Sequence, residues 1–105
     1  MTSNTMPNAA SLPTSRVRVP KHVLYRSFPA ETVVLNLQTG KYHGLNATAS
    51  SMLEQLERAS CVHDAAVTVA GEYKQPQATV EQDMRELCNA LHARGLIELD
   101  DGPAH

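Results

Sequence analysis

A chain of 105 residues has room for one small domain, not for a cofactor domain beside a substrate domain. Nine Lys and Arg against 11 Asp and Glu give a net charge of -2, and three Tyr, one Phe and no Trp leave little to stack on bases, so neither composition nor charge favours nucleic acid. Two Cys make no disulfide framework, residues 1–15 lack the basic start and apolar run of a signal peptide, and no stretch reaches the ~20 apolar residues of a membrane span. These exclusions describe a cytoplasmic domain without a membrane partner, for which binding is a better first expectation than catalysis.

Residues 1–15 hold Ser, Thr, Asn, Pro and Ala without period or charge and are expected as a disordered tail. The last five, 101–105, are expected as a second frayed end, so the folded domain is placed at 16–100. Val17-Arg18-Val19 alternates before Pro20 interrupts. His22 to Phe28 is rich in strand formers, and Pro29-Ala30-Glu31 is a turn. Thr32 to Gln38 places Val33, Leu35 and Leu37 on one face and Val34, Asn36 and Gln38 on the other, the alternation of a half-buried strand. Thr39-Gly40 supplies a tight turn, and Lys41 to Leu45 returns as a third strand.

The second half has helical period. Asn46 is a candidate N-cap for a helix over about 47–59 whose apolar positions are Ala49, Met52, Leu53 and Leu56. Ser60 is a candidate cap for a second helix with Val62, Ala66, Val69, Ala70 and Tyr73 on its apolar face. Thr79-Val80-Glu81-Gln82 fits a capping box for a third, with Val80, Met84, Leu87, Cys88 and Leu91 in one stripe. Gly95 is the expected helix stop, and Leu96 to Leu99 a final short strand. The order β-β-β-α-α-α-(β) defines an α+β domain.

Two other chemistries are weighed against these residues. Cys61 with His63, and Cys88 with His92, offer two ligand pairs of the kind that holds zinc, yet Cys88 falls inside the apolar stripe, where a free thiol acts as a small hydrophobe. No orienting acid or oxyanion donor supports a Cys/His nucleophile. A winged helix-turn-helix reading DNA would use the last helix, but Glu81, Asp83 and Glu86 outweigh Arg85 and Arg94 there. No metal, cofactor or catalytic residue is therefore expected.

Leu35, Thr39-Gly40-Lys41-Tyr42, Leu45-Asn46 and Ala49, followed by Tyr73, Asp83, Leu91 and Arg94-Gly95-Leu96, form an ordered set. In that set the segment from Leu35 to Leu96 resembles the PqqD-like family of recognition domains for RiPP precursors, the ribosomally made and post-translationally modified peptides. The resemblance implies a winged helix-turn-helix-like fold, a three-stranded antiparallel sheet followed by a three-helix bundle. It implies a non-enzyme that binds the leader region of a precursor by strand addition and presents it to separate maturation enzymes. In lasso-peptide pathways these are a leader peptidase and an ATP-dependent cyclase. In the pyrroloquinoline quinone pathway the partner is a radical-SAM enzyme, and the passage Gly40 to Asn46 looks more like the first.

Carried onto this chain, the resemblance places the receiving edge at Lys41, Tyr42, His43, Gly44 and Leu45. It places the groove wall on the third helix, at Val80, Asp83, Met84, Leu87 and Cys88, with Asp83 meeting a basic or hydroxyl group of the guest. The residues alone leave open a plainer reading. Met84, Leu87 and Leu91 at helical spacing also suit a core, and Asp83 a first-turn acid beside Arg26 or Arg85. A proline at His43 is expected to remove a donor that pairs with the guest. A chain with an unpaired edge is expected as a monomer or weak dimer.

Overall fold

Turn chemistry organises the first half of the molecule. The computed structural model describes residues 14–100. The strands are β1 (Arg16–Arg18), β2 (Val23–Ser27), β3 (Thr32–Asn36) and β4 (Tyr42–Leu45), and β2, β3 and β4 form an antiparallel sheet in that order. Pro29 and Ala30 make the first reversal, closed by mutual backbone hydrogen bonds between Phe28 and Glu31. The second reversal is built on Asn36. Its side-chain oxygen accepts from the N–H groups of Gln38 at 2.9 Å and Thr39 at 3.2 Å, and its carbonyl accepts from Gly40. Gly40 takes φ +77°, a left-handed conformation that favours glycine.

The sheet faces the other way from the alternation expected of β3. Thr32, Val34 and Asn36 are buried, while Val33 and Leu35 are only partly covered and Leu37, just past the strand, is 60% exposed. The reason is that the two polar residues are satisfied inside. The Asn36 amide nitrogen donates to the Gly95 carbonyl at 3.1 Å, and Thr32 accepts from the Ser50 hydroxyl at 3.3 Å. Polar groups paired in this way cost little to bury, so Val34 and not Leu37 enters the core.

Three helices follow: α1 (Ala47–Arg58), α2 (Val62–Tyr73) and α3 (Gln77–Ala93). Asn46 caps α1 by accepting from the Ala49 N–H at 2.8 Å, as its type predicts. The other two starts differ from expectation. Cys61, not Ser60, occupies the N-cap of α2, and the Val62 N–H donates to the Ser15 carbonyl instead of to a side chain. Pro76 occupies the N-cap of α3, two residues before Ala78 and three before the anticipated Thr79. Proline fixes φ near the helical value and has no N–H to leave unpaired. The end of α3 is a Schellman motif: Gly95 at φ +68° donates to His92, and Leu96 donates to Leu91.

The last strand, β5 (Glu98–Asp100), begins later than expected and pairs antiparallel with β1, in a two-stranded sheet apart from the first. Arg18 bridges Glu98 across this pair and lies 3.9 Å from Asp100. Beneath it Val17, Leu96 and Ile97 join Leu45, Met52, Leu53, Leu56, Val69, Met84 and Leu91 in one apolar core. Ser15 is also buried and holds α2, so the folded unit includes it. The rest of the expected tail, residues 1–13, and the expected fray, 101–105, lie outside the described residues.

Candidate functional site

β4 is the last strand of its sheet, and among the described residues nothing pairs with its outer edge. Which of its groups face outward follows from the hairpin. The Asn36 N–H donates to the Lys41 carbonyl at 2.8 Å, which makes Asn36 and Lys41 a hydrogen-bonded pair. In an antiparallel ladder such pairs alternate with non-bonded ones. The register matches Leu35 with Tyr42, Val34 with His43 and Val33 with Gly44. His43 therefore turns its N–H and C=O inward to Val34. Tyr42 and Gly44 turn theirs outward, to the free edge.

Side chains alternate too. Leu45 is 1% exposed and His43 is half-buried on the helix side, whereas Tyr42 is 65% exposed on the opposite face. Tyr42 and His43 therefore do not share the groove. A Cβ built on Gly44 would only touch the Glu31 carboxylate at 3.4 Å, so the outer face beside Tyr42 is open.

Between β4 and α3 runs a cleft of about 340 Å³. His43 and Ala49 line one side; Asp83, Glu86, Leu87 and Ala90 line the other. The α3 residues are spaced three and four apart and so form a single stripe. That stripe lies one position off the one expected to wall the groove. Met84 and Cys88 are fully buried and Val80 is 3% exposed; these three belong to the core, and Met84 and Cys88 do not line the cleft. Glu86 and Ala90 were missed as wall residues, because an acid and a small residue carry no apolar signal at helical spacing. The helical wheel, read one residue along from the core stripe, would have found them.

The cleft's electrostatics are acidic on the helix side, and neither Asp83 nor Glu86 forms a salt bridge among the described residues. Arg26 and Arg85, the expected partners of Asp83, do not reach it: Arg85 donates to Gln82 instead. His43 is held below the ordinary imidazole pKa, first by burial and then by the Arg94 charge. It is therefore a neutral imidazole at neutral pH. Burial pushes the Cys88 thiol up to about 12, which removes its nucleophilic form. Cys61 is half-buried at the start of α2, and no group of three or more His, Cys, Asp or Glu is arranged for a metal among the described residues. No described helix is long and apolar enough to cross a membrane.

An unpaired edge with two outward donor–acceptor pairs, beside a half-apolar cleft, has the geometry to accept an extended peptide as an added strand. Known proteins bear on this shape. A solved structure described as TbiB1 in complex with the TbiA(beta) leader peptide is 32% identical, covers 77% of this chain and 94% of its own, and superposes with a TM-score of 0.68. A second, lasso peptide synthetase B1 complexed with the leader peptide, is 23% identical over 79% of this chain and 98% of its own, with a TM-score of 0.70. No curated protein matches the chain. The family described as coenzyme PQQ synthesis protein D (PqqD) matches residues 31–97, from the turn before β3 to just past α3, and the chain belongs to that family.

Proposed function

We propose that this chain holds the leader region of a RiPP precursor as an added strand on β4 and presents the precursor to separate maturation enzymes. The observation that carries the reading is the pair of outward-facing residues, Tyr42 and Gly44, on an unpaired edge that opens beside the cleft. Backbone pairing at these two residues supplies affinity without reading sequence. Side chains of the guest alternate. Those opposite Tyr42 and Gly44 lie on the outer face, and the one opposite His43 enters the cleft against Leu87 and Ala90. The reading assigns no catalytic residue to the chain and needs no cofactor.

The 32%-identical neighbour is itself a complex with a leader peptide, and the second neighbour is a lasso peptide synthetase B1. The first favours leader binding and the second's description a lasso-type setting, for which the resemblance implies a leader peptidase and an ATP-dependent cyclase as partners. The family description favours quinone synthesis, for which the resemblance implies a radical-SAM partner. Adding each candidate enzyme to the peptide-loaded protein separates the two settings.

The strand reading is tested with fluorescein-labelled leader peptides from short precursor genes neighbouring this one. Gly44→Pro removes an outward donor and should abolish binding while the circular dichroism spectrum stays that of the wild type. His43→Pro removes a donor to β3 and should damage the fold itself, the reverse of the sequence-based expectation. Full binding by a folded Gly44→Pro protein would exclude strand addition on this edge.

A further inference from the structure

The free edge of β4 carries a carboxylate beside one of its two outward-facing residues. Gly44 has no side chain, and the Glu31 carboxylate flanks the place its Cβ would take, with oxygens at 3.4 and 3.7 Å. Gly44 points to the same face as Tyr42, so this carboxylate lies on the outer face of the sheet, away from the cleft. Glu31 is exposed and forms no salt bridge among the described residues. It also borders a hollow of about 250 Å³, which Phe28, Ser50, Ser51 and Glu54 help to line and no Lys or Arg does. Arg26 shares the outer face: it pairs with Val33, which pairs with Gly44. Two strand spacings, about 10 Å, separate the Arg26 backbone from that of Gly44, roughly a Debye length at 0.1 M salt. The row that crosses Tyr42 differs, since Leu35 and then Leu24 follow it without a charge.

From this placement we infer that Glu31 is a specificity-determining residue, which selects a Lys or Arg side chain on the guest residue paired with Gly44. The inference rests on the strand-addition reading above. Cross-strand partners hold their Cβ positions about 5 Å apart on one face of a sheet. A Lys or Arg stem from that guest residue therefore lies across the bare Gly44 and carries its cation to the carboxylate. A guest Asp or Glu at the same place meets Glu31, with Glu54 beyond it across the hollow. The guest residue paired with Tyr42 sits beside the apolar row, so the charge preference is confined to one position. Backbone pairing discriminates no side chain; one carboxylate laid against a bare strand residue does.

The probe is a phage library of random, roughly twelve-residue peptides, which span about 40 Å when extended. It is selected on the wild-type protein, on Glu31→Lys, on Glu31→Gln and on Glu72→Lys, which makes the same charge change at an exposed position of α2. Glu31 and Glu72 are both exposed, so each variant is expected to fold, which thermal melts establish. Wild-type selection should enrich Lys or Arg at one fixed position of an alternating segment. Glu31→Lys should enrich Asp or Glu at that position, Glu31→Gln should show no charge preference there, and Glu72→Lys should match the wild type. A peptide chosen on the wild type should bind Glu31→Lys about fivefold more weakly, a gap that narrows at high salt, and replacing its basic residue by Glu should restore the affinity. The same charge at that position on all four proteins, or an equal change in Glu72→Lys, would overturn the role of Glu31 and leave strand addition standing. Peptides whose binding survives Gly44→Pro, or failure to enrich any peptide on the wild type, would overturn both.

Discussion

α3 presents two stripes one residue apart, and they do opposite work. Val80, Met84, Cys88 and Leu91 are buried against the other helices and the sheet, while Asp83, Glu86, Leu87 and Ala90 line the cleft beside β4. The first stripe belongs to the apolar core. The second faces a space that the fold leaves open. β4 repeats the division at a period of two: His43 bonds inward and faces the cleft, while Tyr42 and Gly44 bond outward. One residue along a helix, or one step along a strand, separates the core from the open cleft or edge.

The largest effect should come from charging the buried stripe. Met84→Asp places a carboxylate where the side chain is fully buried and unpartnered, and it should remove the cooperative thermal transition altogether. A folded Met84→Asp protein with weakened peptide binding would break the division and return this residue to the cleft. Next in size is Asn36→Ala, which deletes the acceptor for the Gln38 and Thr39 N–H groups and the donor to Gly95. A loss of about 1–3 kcal/mol in urea unfolding is expected. A neutral result would mean that the inverted face of β3 is not held by this network.

Leu87→Asp should do the converse of Met84→Asp. The side chain is only partly covered, so unfolding should shift by about 1 kcal/mol or less, while affinity for a leader peptide falls tenfold or more. The cysteines sharpen the same comparison without any mutation. Cys88 is buried with its pKa pushed up to about 12, so a thiol reagent at pH 7.5 should modify Cys61 quickly and Cys88 only after unfolding. Rapid reaction of both thiols would place Cys88 at the cleft surface.

The smallest effect concerns His43. Its folded pKa is lowered by burial and by Arg94, so the unfolded chain takes up a proton first. The associated stability is fully present above about pH 6.5, the unfolded value, and is lost as pH falls through the folded value. His43→Gln should flatten that part of the stability profile. Because the ring is only partly buried, the slope should be shallow.

Much of the architecture was legible from local chemistry. The Asn46 cap, the Gly40 turn and the Gly95 stop each depend on one residue type in one backbone conformation, so each could be read before any contact was known. The edge at β4 was legible as well, since the last strand of a meander leaves one side open. The groove wall was only half legible. Asp83 and Leu87 were named, but Met84 and Cys88 were named beside them, because an apolar period does not distinguish a core stripe from a cleft one step around the helix. The starts of α2 and α3 were missed where a backbone carbonyl at Ser15 and a proline replaced the expected side-chain caps.

By itself, then, the chain's order of residues determined the elements, their sequence and most of their ends, because these rest on interactions among near neighbours. Tertiary structure alone decided which face of β3 turned inward. Burying Thr32 and Asn36 requires Ser50 and Gly95, and Gly95 lies 59 residues farther along the chain from Asn36. It also decided that β1 would close against β5, and that α3 and β4 would leave a cleft between them. Those are distances between segments far apart in sequence, and no local pattern encodes them.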